Sequence, residues 1–265
     1  MTRVCVLGAG GRMGRRVTAA VAEVSGLKVT AAIERAGATE LGQDAGTLAG
    51  IAPLGVAVTS DLTKALAGCD VVIDFTAPAA TKAHAPACAA AGVAMIIGTT
   101  GLEGDALAAV EAAAKRIPIV KAANFSIGVN ALLAVVADLS AKLHGYDIEI
   151  VEIHHRKKVD APSGTALRLA EAAAEGRKQD LAKVQVTGRT GQVGARTDTE
   201  LGVLAVRGGD VVGDHTVYFL GPGERIEVTH RAHSRDTFAA GAARAAAWIA
   251  GKPAKLYEMR DVLGL

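Results

Sequence analysis

The side chains best suited to chemistry are concentrated in residues 154–166, HHRKKVDAPSGTA. Five basic or titratable residues follow one another at 154–158, and a loop signal, DAPSG, comes directly after them. The whole chain has 29 Lys and Arg against 27 Asp and Glu, so its net charge is only +2. Such a local excess of positive charge predicts a site for an anion.

The residue types in this block also suggest proton transfer. His154 is a proton donor near neutral pH, and Lys158, beside other cations, should lose its proton more readily than an ordinary lysine. Ser163 is expected to begin a helix, whose free N–H groups attract anions. We therefore expect a small substrate with more than one carboxylate. A solvated basic loop, a charged strand edge and a nucleic-acid patch without interleaved aromatics are the alternatives.

A glycine cluster at residues 8–14, GAGGRMG, lies between a predicted strand and a predicted helix. Glycine permits a tight turn and close approach of a pyrophosphate, and the helix start favours negative charge. The spacing is G-x-x-G-x-x-G rather than G-x-G-x-x-G. Glu34, at the end of the second predicted strand and 20 residues past Gly14, is placed to bind ribose hydroxyls. A dinucleotide site is predicted, and a tight turn that binds nothing is the alternative.

Arg35 follows Glu34 directly. A 2′-phosphate near Glu34 would meet a repulsion of about 4 kcal/mol, which Arg35 would offset if Glu34 turned away. The sequence does not decide whether the repulsion by Glu34 or the attraction by Arg35 is larger, so we predict that both NADH and NADPH are accepted.

The pattern of apolar residues predicts an α/β protein in which the order of strands and helices changes after Asn124. Before that point, short apolar strands alternate with alanine-rich helices, which is typical of a parallel sheet covered on both faces. After it, a long helix at 127–143 and a strand at 146–153 precede a helix at 163–174. Four strands then follow without long helices between them, and a helix at 236–250 is expected to pack on the first domain. The segment 36–55 is either a loop over a ligand or a surface insertion.

Three polar turns follow predicted strands at 74–78, 98–101 and 122–126. Ligands of open parallel sheets lie at these carboxyl ends. The last two turns therefore border a nicotinamide or are plain polar connections, and Asp74 either lines the site or caps the next helix.

Composition excludes several classes of protein. Aromatics are only 3% of the 265 residues although half of the residues are hydrophobic, so Ala, Val, Leu and Ile must build the core. The balanced charge argues against a dedicated nucleic-acid binder, and no apolar run is long enough for a membrane span. Cys5, Cys69 and Cys88 lack metal spacing and are interpreted as free thiols of a cytoplasmic protein with no metal.

The chain resembles the dihydrodipicolinate reductase (4-hydroxy-tetrahydrodipicolinate reductase) family of lysine and diaminopimelate biosynthesis over nearly its whole length. The 154–166 block is highly specific to that family, whereas the glycine loop is not. The motifs that carry the resemblance are GAGGRMG at 8–14, ER at 34–35, DFT at 74–76, GTTG at 98–101, NFSIGVN at 124–130, the 154–166 block, RGGDVVGDHT at 207–216 and MRDVL at 259–263.

The resemblance implies a Rossmann-type dinucleotide-binding domain, residues 1–126 and 235–265. It also implies an α+β substrate-binding and tetramerisation domain, residues 127–234, with an open mixed sheet. The implied reaction is reduction of a cyclic imine dicarboxylate by NADH or NADPH in a homotetramer. No nucleic acid or membrane is expected as a partner.

Position by position, the resemblance implies that His154 and Lys158 are the proton-donating pair, and either one is the donor. His155 matches a substrate contact, and Gly164 and Thr165 match a carboxylate-binding turn, to which we add Ser163 from the anion argument. Lys157 stands where other members vary, so it has no assigned role. The residues interpreted as cofactor contacts are Gly8, Ala9, Gly10, Gly11, Arg12, Met13, Gly14, Glu34, Arg35, Gly98, Thr99, Thr100, Ala122, Ala123, Asn124 and Phe125.

Two other functions compete with this one. Another amino-acid or imino-acid dehydrogenase of the same two-domain build would share the glycine loop but not the whole 154–166 block. A nucleotide-sensing protein without catalysis would have no need of both His154 and Lys158.

Overall fold

A computed structural model describes residues 1–265, which form two compact units. Unit 1 comprises residues 1–127 and 236–264, and unit 2 comprises residues 128–235 with Leu265. The strands are β1 (Thr2–Leu7), β2 (Leu27–Ile33), β3 (Val58–Thr59), β4 (Val71–Asp74), β5 (Ala94–Ile97), β6 (Pro118–Lys121), β7 (Asp147–His154), β8 (Gln185–Val186), β9 (Leu201–Arg207), β10 (Gly213–Gly221), β11 (Glu224–Ala232) and β12 (Lys255–Tyr257). The helices are α1 (Arg12–Glu23), α2 (Ala45–Leu48), α3 (Leu62–Leu66), α4 (Pro78–Ala91), α5 (Gly104–Ala114), α6 (Ile127–Lys142), α7 (Gly164–Gly176), α8 (Leu181–Val184), α9 (Asp236–Ile249) and α10 (Met259–Leu263).

Unit 1 is built on a seven-stranded parallel sheet in the order β12-β6-β5-β4-β1-β2-β3. Its central strands are buried on both faces, as β4 and β5 are along their whole length, because helices cover each face. One core contains Val4 and Val6 with the alanines of α9, and the other contains Cys5 and Leu7 with α4 and α5. Small alanine side chains let these helices approach the sheet closely. The three cysteines are buried and free, as predicted.

Unit 2 is built on a five-stranded sheet in the order β11-β10-β7-β9-β8. The central strand β7 pairs antiparallel with β10 and parallel with β9, so the sheet is mixed. Side chains of β7 alternate between buried and half-exposed along the whole strand. Ile148 and Ile150 face inward and pack with Leu169 of α7. The predicted α/β fold class, with a parallel sheet and a second mixed sheet, is confirmed.

The segment 36–55 is a fixed connection that contains α2. Asp44 accepts hydrogen bonds from the N–H groups of Thr47, Leu54 and Val56, and these bonds, that of Thr47 first, lower the pKa of Asp44 to about 2. Leu41 and Leu48 pack against the core of unit 1. The sequence did not predict α2, α8, β12 or α10, because each is too short to establish a period.

None of the helices has the combination of length and apolar character that a membrane crossing requires.

A helical glycine tests the packing of unit 1. A Cβ on Gly241 of α9 would lie 1.8 Å from the carbonyl oxygen of Phe125, so Gly241→Ala should lower the free energy of unfolding by about 2–3 kcal/mol through overpacking. Thermal unfolding followed by circular dichroism measures the loss. Ala240→Ser, at an exposed position of the same helix, should cost about 0.5 kcal/mol. Equal melting temperatures for the two variants would contradict the close approach.

Candidate active site

The end of β7 carries two polar residues into the interior of unit 2. Glu152 and His154 are two positions apart, so both point to the buried face of the strand. Glu152 is fully buried, and His154 is 8% exposed. The Glu152 carboxylate oxygen Oε2 lies 2.6 Å from Nδ1 of His154. A buried carboxylate therefore holds the histidine that the sequence analysis singled out.

Arg207 and Ser163 complete the surroundings of Glu152. The guanidinium of Arg207, at the end of β9, donates to both carboxylate oxygens at 2.7 and 2.8 Å, and the Ser163 N–H donates to Oε1 at 2.9 Å. Burial alone raises the pKa of Glu152, but the hydrogen bonds from Arg207, His154 and Ser163 outweigh it and leave that pKa below its ordinary value. Glu152 is therefore an ionised acceptor.

The charge of Glu152 decides which nitrogen of His154 carries a hydrogen. An ionised carboxylate only accepts hydrogen bonds, so Nδ1 must donate to it. Nε2 is then the atom left to exchange a proton. The backbone of Gly213 lies beside it, since a Cβ built on that glycine would be 2.9 Å from Nε2. A side chain at position 213 would press on that nitrogen.

A second histidine, His215, lies against this group. It is 4% exposed, its ring is 5.1 Å from the His154 ring in an edge-on arrangement, and its Nε2 is 3.1 Å from the Ser163 hydroxyl. Burial, and then the charge of His154, lowers the pKa of His215 to about 4. His215 is thus neutral near pH 7, and its Nε2 can accept from Ser163.

Lys158 is held by a different carboxylate. Its Nζ lies 2.8 Å from both carboxylate oxygens of Asp160, and its side chain is 19% exposed. The hydrogen bond from Lys158 is the main cause that lowers the pKa of Asp160. His155 is on the same turn, where its N–H donates to the carbonyl of Val211. A carboxylate therefore faces the ammonium group of Lys158, for which the sequence analysis considered only neighbouring cations.

The start of α7 provides a place for an anionic group. The Ser163 hydroxyl caps the helix by accepting from the Ala166 N–H at 3.1 Å, as predicted from the sequence. Gly164 and Thr165 form the first turn. A Cβ added to Gly164 would meet nothing within 4 Å, so there is open space beside the helix start. A carboxylate placed there would meet the positive end of the helix.

In unit 1, the glycine loop follows β1 and begins α1. Gly8 has a φ of +67°, which favours glycine. A Cβ on Gly14 would lie 2.0 Å from the carbonyl oxygen of Gly8, so only glycine fits there. Gly11 caps α1 without a side-chain hydrogen bond. The loop presents mostly backbone at the start of α1, which suits a pyrophosphate.

The carboxylate of Glu34 reaches the glycine loop from the end of β2. Its Oε2 accepts from the Gly10 N–H at 3.1 Å, and its Oε1 accepts from the Arg35 N–H at 3.1 Å. The side chain of Arg35 is exposed. The predicted ribose-binding acid thus contacts the predicted phosphate loop.

A buried carboxylate, that of Asp74, organises the other turns at the carboxyl edge of the parallel sheet. It accepts from the hydroxyls of Thr76 at 2.6 Å and Thr81 at 3.0 Å, and it lies 2.9 Å from Nδ1 of His84. Burial raises the pKa of Asp74, but the bonds from His84 and Thr76 outweigh it and lower the net value. The Thr99 hydroxyl oxygen accepts from the Thr76 N–H at 3.1 Å and from the Thr81 hydroxyl at 2.9 Å, so the turn at 98–101 is tied to the same residues.

Close packing shapes the same edge. A Cβ on Gly98 would lie 2.1 Å from the ring of Phe75, and that ring packs on the buried Phe125 with ring centres 5.6 Å apart. The Ala122 N–H donates to the carbonyl of Ile97, and the side-chain oxygen of Asn124 accepts from the Ser126 N–H at 2.8 Å.

Sequence reasoning missed the residues that hold the predicted ones. Glu152, Arg207 and His215 had no assigned role, although Arg207 and His215 lie in a quoted motif and Glu152 alternates with His154. His84 also went unnoticed. The period of two along β7 was the one available signal, since it places Glu152 and His154 on one face.

Comparison with known proteins gives two family matches that together span the chain. A family model described as dihydrodipicolinate reductase, N-terminus, matches residues 2–125. A second, described as dihydrodipicolinate reductase, C-terminus, matches residues 128–263. The break between the two matches, at residues 126–127, falls at the first boundary between the compact units, whereas the second match also covers residues 236–263, which belong to unit 1.

Curated relatives match over the full length. A 4-hydroxy-tetrahydrodipicolinate reductase from Anaeromyxobacter dehalogenans strain 2CP-1 is 56% identical, covering 100% of this chain and 98% of the relative. One from Acinetobacter baumannii strain ATCC 17978 is 52% identical, covering 99% and 96%. A solved dihydrodipicolinate reductase from Paenisporosarcina sp. TG-14, with dipicolinate bound, has a TM-score of 0.78 and 25% identity, and 97% of each chain is covered.

The low pKa of His215 predicts a pH-dependent stability. Its folded pKa of about 4 lies below the unfolded value of about 6.5, so between these values only the unfolded chain binds the proton. The free energy of unfolding should therefore fall with decreasing pH, by about 2 kcal/mol between pH 7 and pH 5 from this group alone. Urea unfolding of the wild type and His215→Gln at both pH values measures the difference.

His144→Gln is the matched control, because His144 is exposed. It should keep the pH dependence of the wild type, whereas His215→Gln should flatten it. The same dependence in all three proteins would refute the buried neutral histidine.

Proposed function

Because this chain belongs to the dihydrodipicolinate reductase family, we propose that His154 and Lys158 are its proton-donating pair. The activity is the nicotinamide-dependent reduction of 4-hydroxy-tetrahydrodipicolinate to tetrahydrodipicolinate in lysine and diaminopimelate biosynthesis. The observation that carries the proposal is the buried hydrogen bond between Glu152 and Nδ1 of His154, close to the start of α7.

The substrate is a cyclic imine dicarboxylate, and a solved relative carries dipicolinate, a ring with two carboxylates. On this chain we assign one carboxylate to Ser163, Gly164 and Thr165 at the start of α7, where the helix dipole stabilises negative charge. His155 is assigned a second contact, since its turn lies next to His154.

The nicotinamide cofactor fits the residues of unit 1. The glycine cradle at 8–14 has no room for a Cβ at Gly14, and Glu34 reaches the loop from the end of β2. We assign the pyrophosphate to residues 8–14 and the adenosine ribose to Glu34 and Arg35. The turns at 98–100 and 122–125 are assigned to the nicotinamide end. The bound cofactor supplies the hydride.

His154 is prepared to deliver a proton from Nε2. The hydroxyl group of the substrate leaves as water, and hydride addition to the resulting unsaturated ring moves electrons to the adjacent carbon, which must then be protonated. Glu152 fixes the ring of His154 by accepting from Nδ1, and it stabilises the cationic form before transfer. Arg207 keeps the charge of Glu152 in place and prevents it from taking the proton itself, because a doubly hydrogen-bonded carboxylate is a weak base.

Lys158 is the other candidate donor. Asp160 holds its ammonium group by two equal contacts, and a substrate carboxylate would compete for the same group. Whichever of His154 and Lys158 donates the proton, the other can hold a carboxylate and stabilise the developing charge.

We also propose that the chain forms a homotetramer. Support comes from the outward face of the unit 2 sheet, where Val151, Ile153, Tyr218 and Leu220 are only partly buried and Val206 is 46% exposed. Such an apolar sheet face favours association with further copies. The mass in solution, from multi-angle light scattering, tests this assembly.

Substitutions at the donor pair test the assigned roles. His154→Gln and Lys158→Ala should each lower kcat by about 10²–10⁴-fold, because a positioned acid contributes that much. The dissociation constant of the cofactor should stay unchanged, since cofactor contacts are assigned to unit 1. Lys157→Ala is the matched control, which removes one positive charge from an exposed position of the same loop. Near-normal turnover in both donor variants would refute the assignment.

A coupled assay tests the reaction and the cofactors together. The preceding synthase makes the substrate in situ from pyruvate and aspartate semialdehyde, and loss of nicotinamide absorbance reports reduction. We expect synthase-dependent oxidation of both NADH and NADPH, with kcat/KM values less than about a thousandfold apart because Glu34 and Arg35 act in opposite directions. A larger preference would contradict dual acceptance, and no oxidation would contradict the reductase activity.

A further inference from the structure

Glu40, in the segment 36–55, lies directly against the glycine loop. A Cβ built on Gly10 would lie 2.7 Å from Cγ of Glu40 and 3.2 Å from its Oε1. The side chain of Glu40 is only 23% exposed. It therefore packs on the face of Gly10 that the missing side chain leaves open.

The position of Glu40 is fixed by the chain around it. Thr39 donates to Oε2 at 3.1 Å, Leu41 packs against the core, and the Gly42 N–H donates to the carbonyl of Val58 at 2.9 Å. Glu40 thus belongs to the fixed connection between β2 and α2.

Arg15, on the first turn of α1, faces Glu40 and the loop together. Its Nε donates to the carbonyl oxygen of Gly10 at 2.8 Å, and its Nη2 lies 3.6 Å from Oε1 of Glu40. Arg15 is 45% exposed, so this ion pair is weak. It nevertheless directs the guanidinium of Arg15 towards the Glu40 carboxylate.

Two carboxylates consequently flank one glycine, because Glu34 accepts from the Gly10 N–H while Glu40 covers its Cα. A ribose bound to Glu34 must lie beside Gly10, and its 2′ substituent is then close to both acids. We propose that Glu40 is a specificity-determining residue that weakens the binding of NADPH relative to NADH. This inference rests on the proposed cofactor role of the glycine loop.

The physical reason is the charge of the extra phosphate. A 2′-phosphate adds a doubly negative group that NADH lacks, and Glu40 repels it while holding Arg15 in an ion pair. Removing the Glu40 charge ends the repulsion and also frees Arg15 to pair with the phosphate, as arginine does well. The neutral 2′-hydroxyl of NADH experiences neither effect strongly.

Titration of the wild type, Glu40→Gln and Glu40→Leu with NADH and with NADPH, followed by nicotinamide fluorescence, tests the proposal without turnover. The ratio of the NADPH to the NADH dissociation constant should fall at least about fivefold in both variants, mainly through tighter NADPH binding. Glu40→Gln retains the size of the side chain, so it separates charge from shape. Adding Arg15→Ala to Glu40→Gln should remove most of the gain for NADPH.

Glu111→Gln is the control, because it removes one negative charge at an exposed position of α5 and should leave the ratio unchanged. A smaller fall in both Glu40 variants overturns the inference. Equal gains for both cofactors also overturn it, because Glu40 would then obstruct the pyrophosphate they share. If the wild type binds neither cofactor, the proposed function fails as well.

Discussion

The buried carboxylate of Glu152 is the interaction on which the candidate site of unit 2 depends. It joins three elements, since it accepts from His154 on β7, Arg207 on β9 and the backbone N–H of Ser163 before α7. A fully buried charge is tolerated only when it is paired and hydrogen-bonded, and Arg207 meets that need. Removing one partner of such a buried pair typically lowers the free energy of unfolding by about 3–5 kcal/mol. The Glu152 carboxylate therefore links these elements and orients His154.

The two units offer different groups for binding an anion. Unit 1 uses backbone, because a glycine-rich loop presents N–H groups at the start of α1, and Glu34 and Glu40 border it with negative charge. Unit 2 offers side chains and a second helix start, with Asp160 restraining the ammonium of Lys158. The first arrangement suits a phosphate chain held by many backbone groups. The second suits a smaller anion that must also receive a proton.

Much of the fold could be predicted from local patterns. Strand and helix alternation in unit 1 and the change of rhythm after Asn124 are periodicities that neighbouring residues alone define. Short elements such as α2 and β12 could not be predicted, because β12 exists only through its pairing with β6. The role of the segment 36–55 was also left open, since its anchoring depends on Asp44 meeting N–H groups 10 and 12 residues further along.

The sequence by itself determined which residue types stand together along the chain: the glycine spacing, the acid after β2 and the basic block before Ser163. Each of these is a short-range pattern, and the chemistry of an anion site can be inferred from it. Only the tertiary structure decided what surrounds those residues. Glu152 meets Arg207 across 55 positions, and Ser163 meets His215 across 52. Such partners are set by the register of β7 with β9 and β10, which depends on packing over the whole sheet.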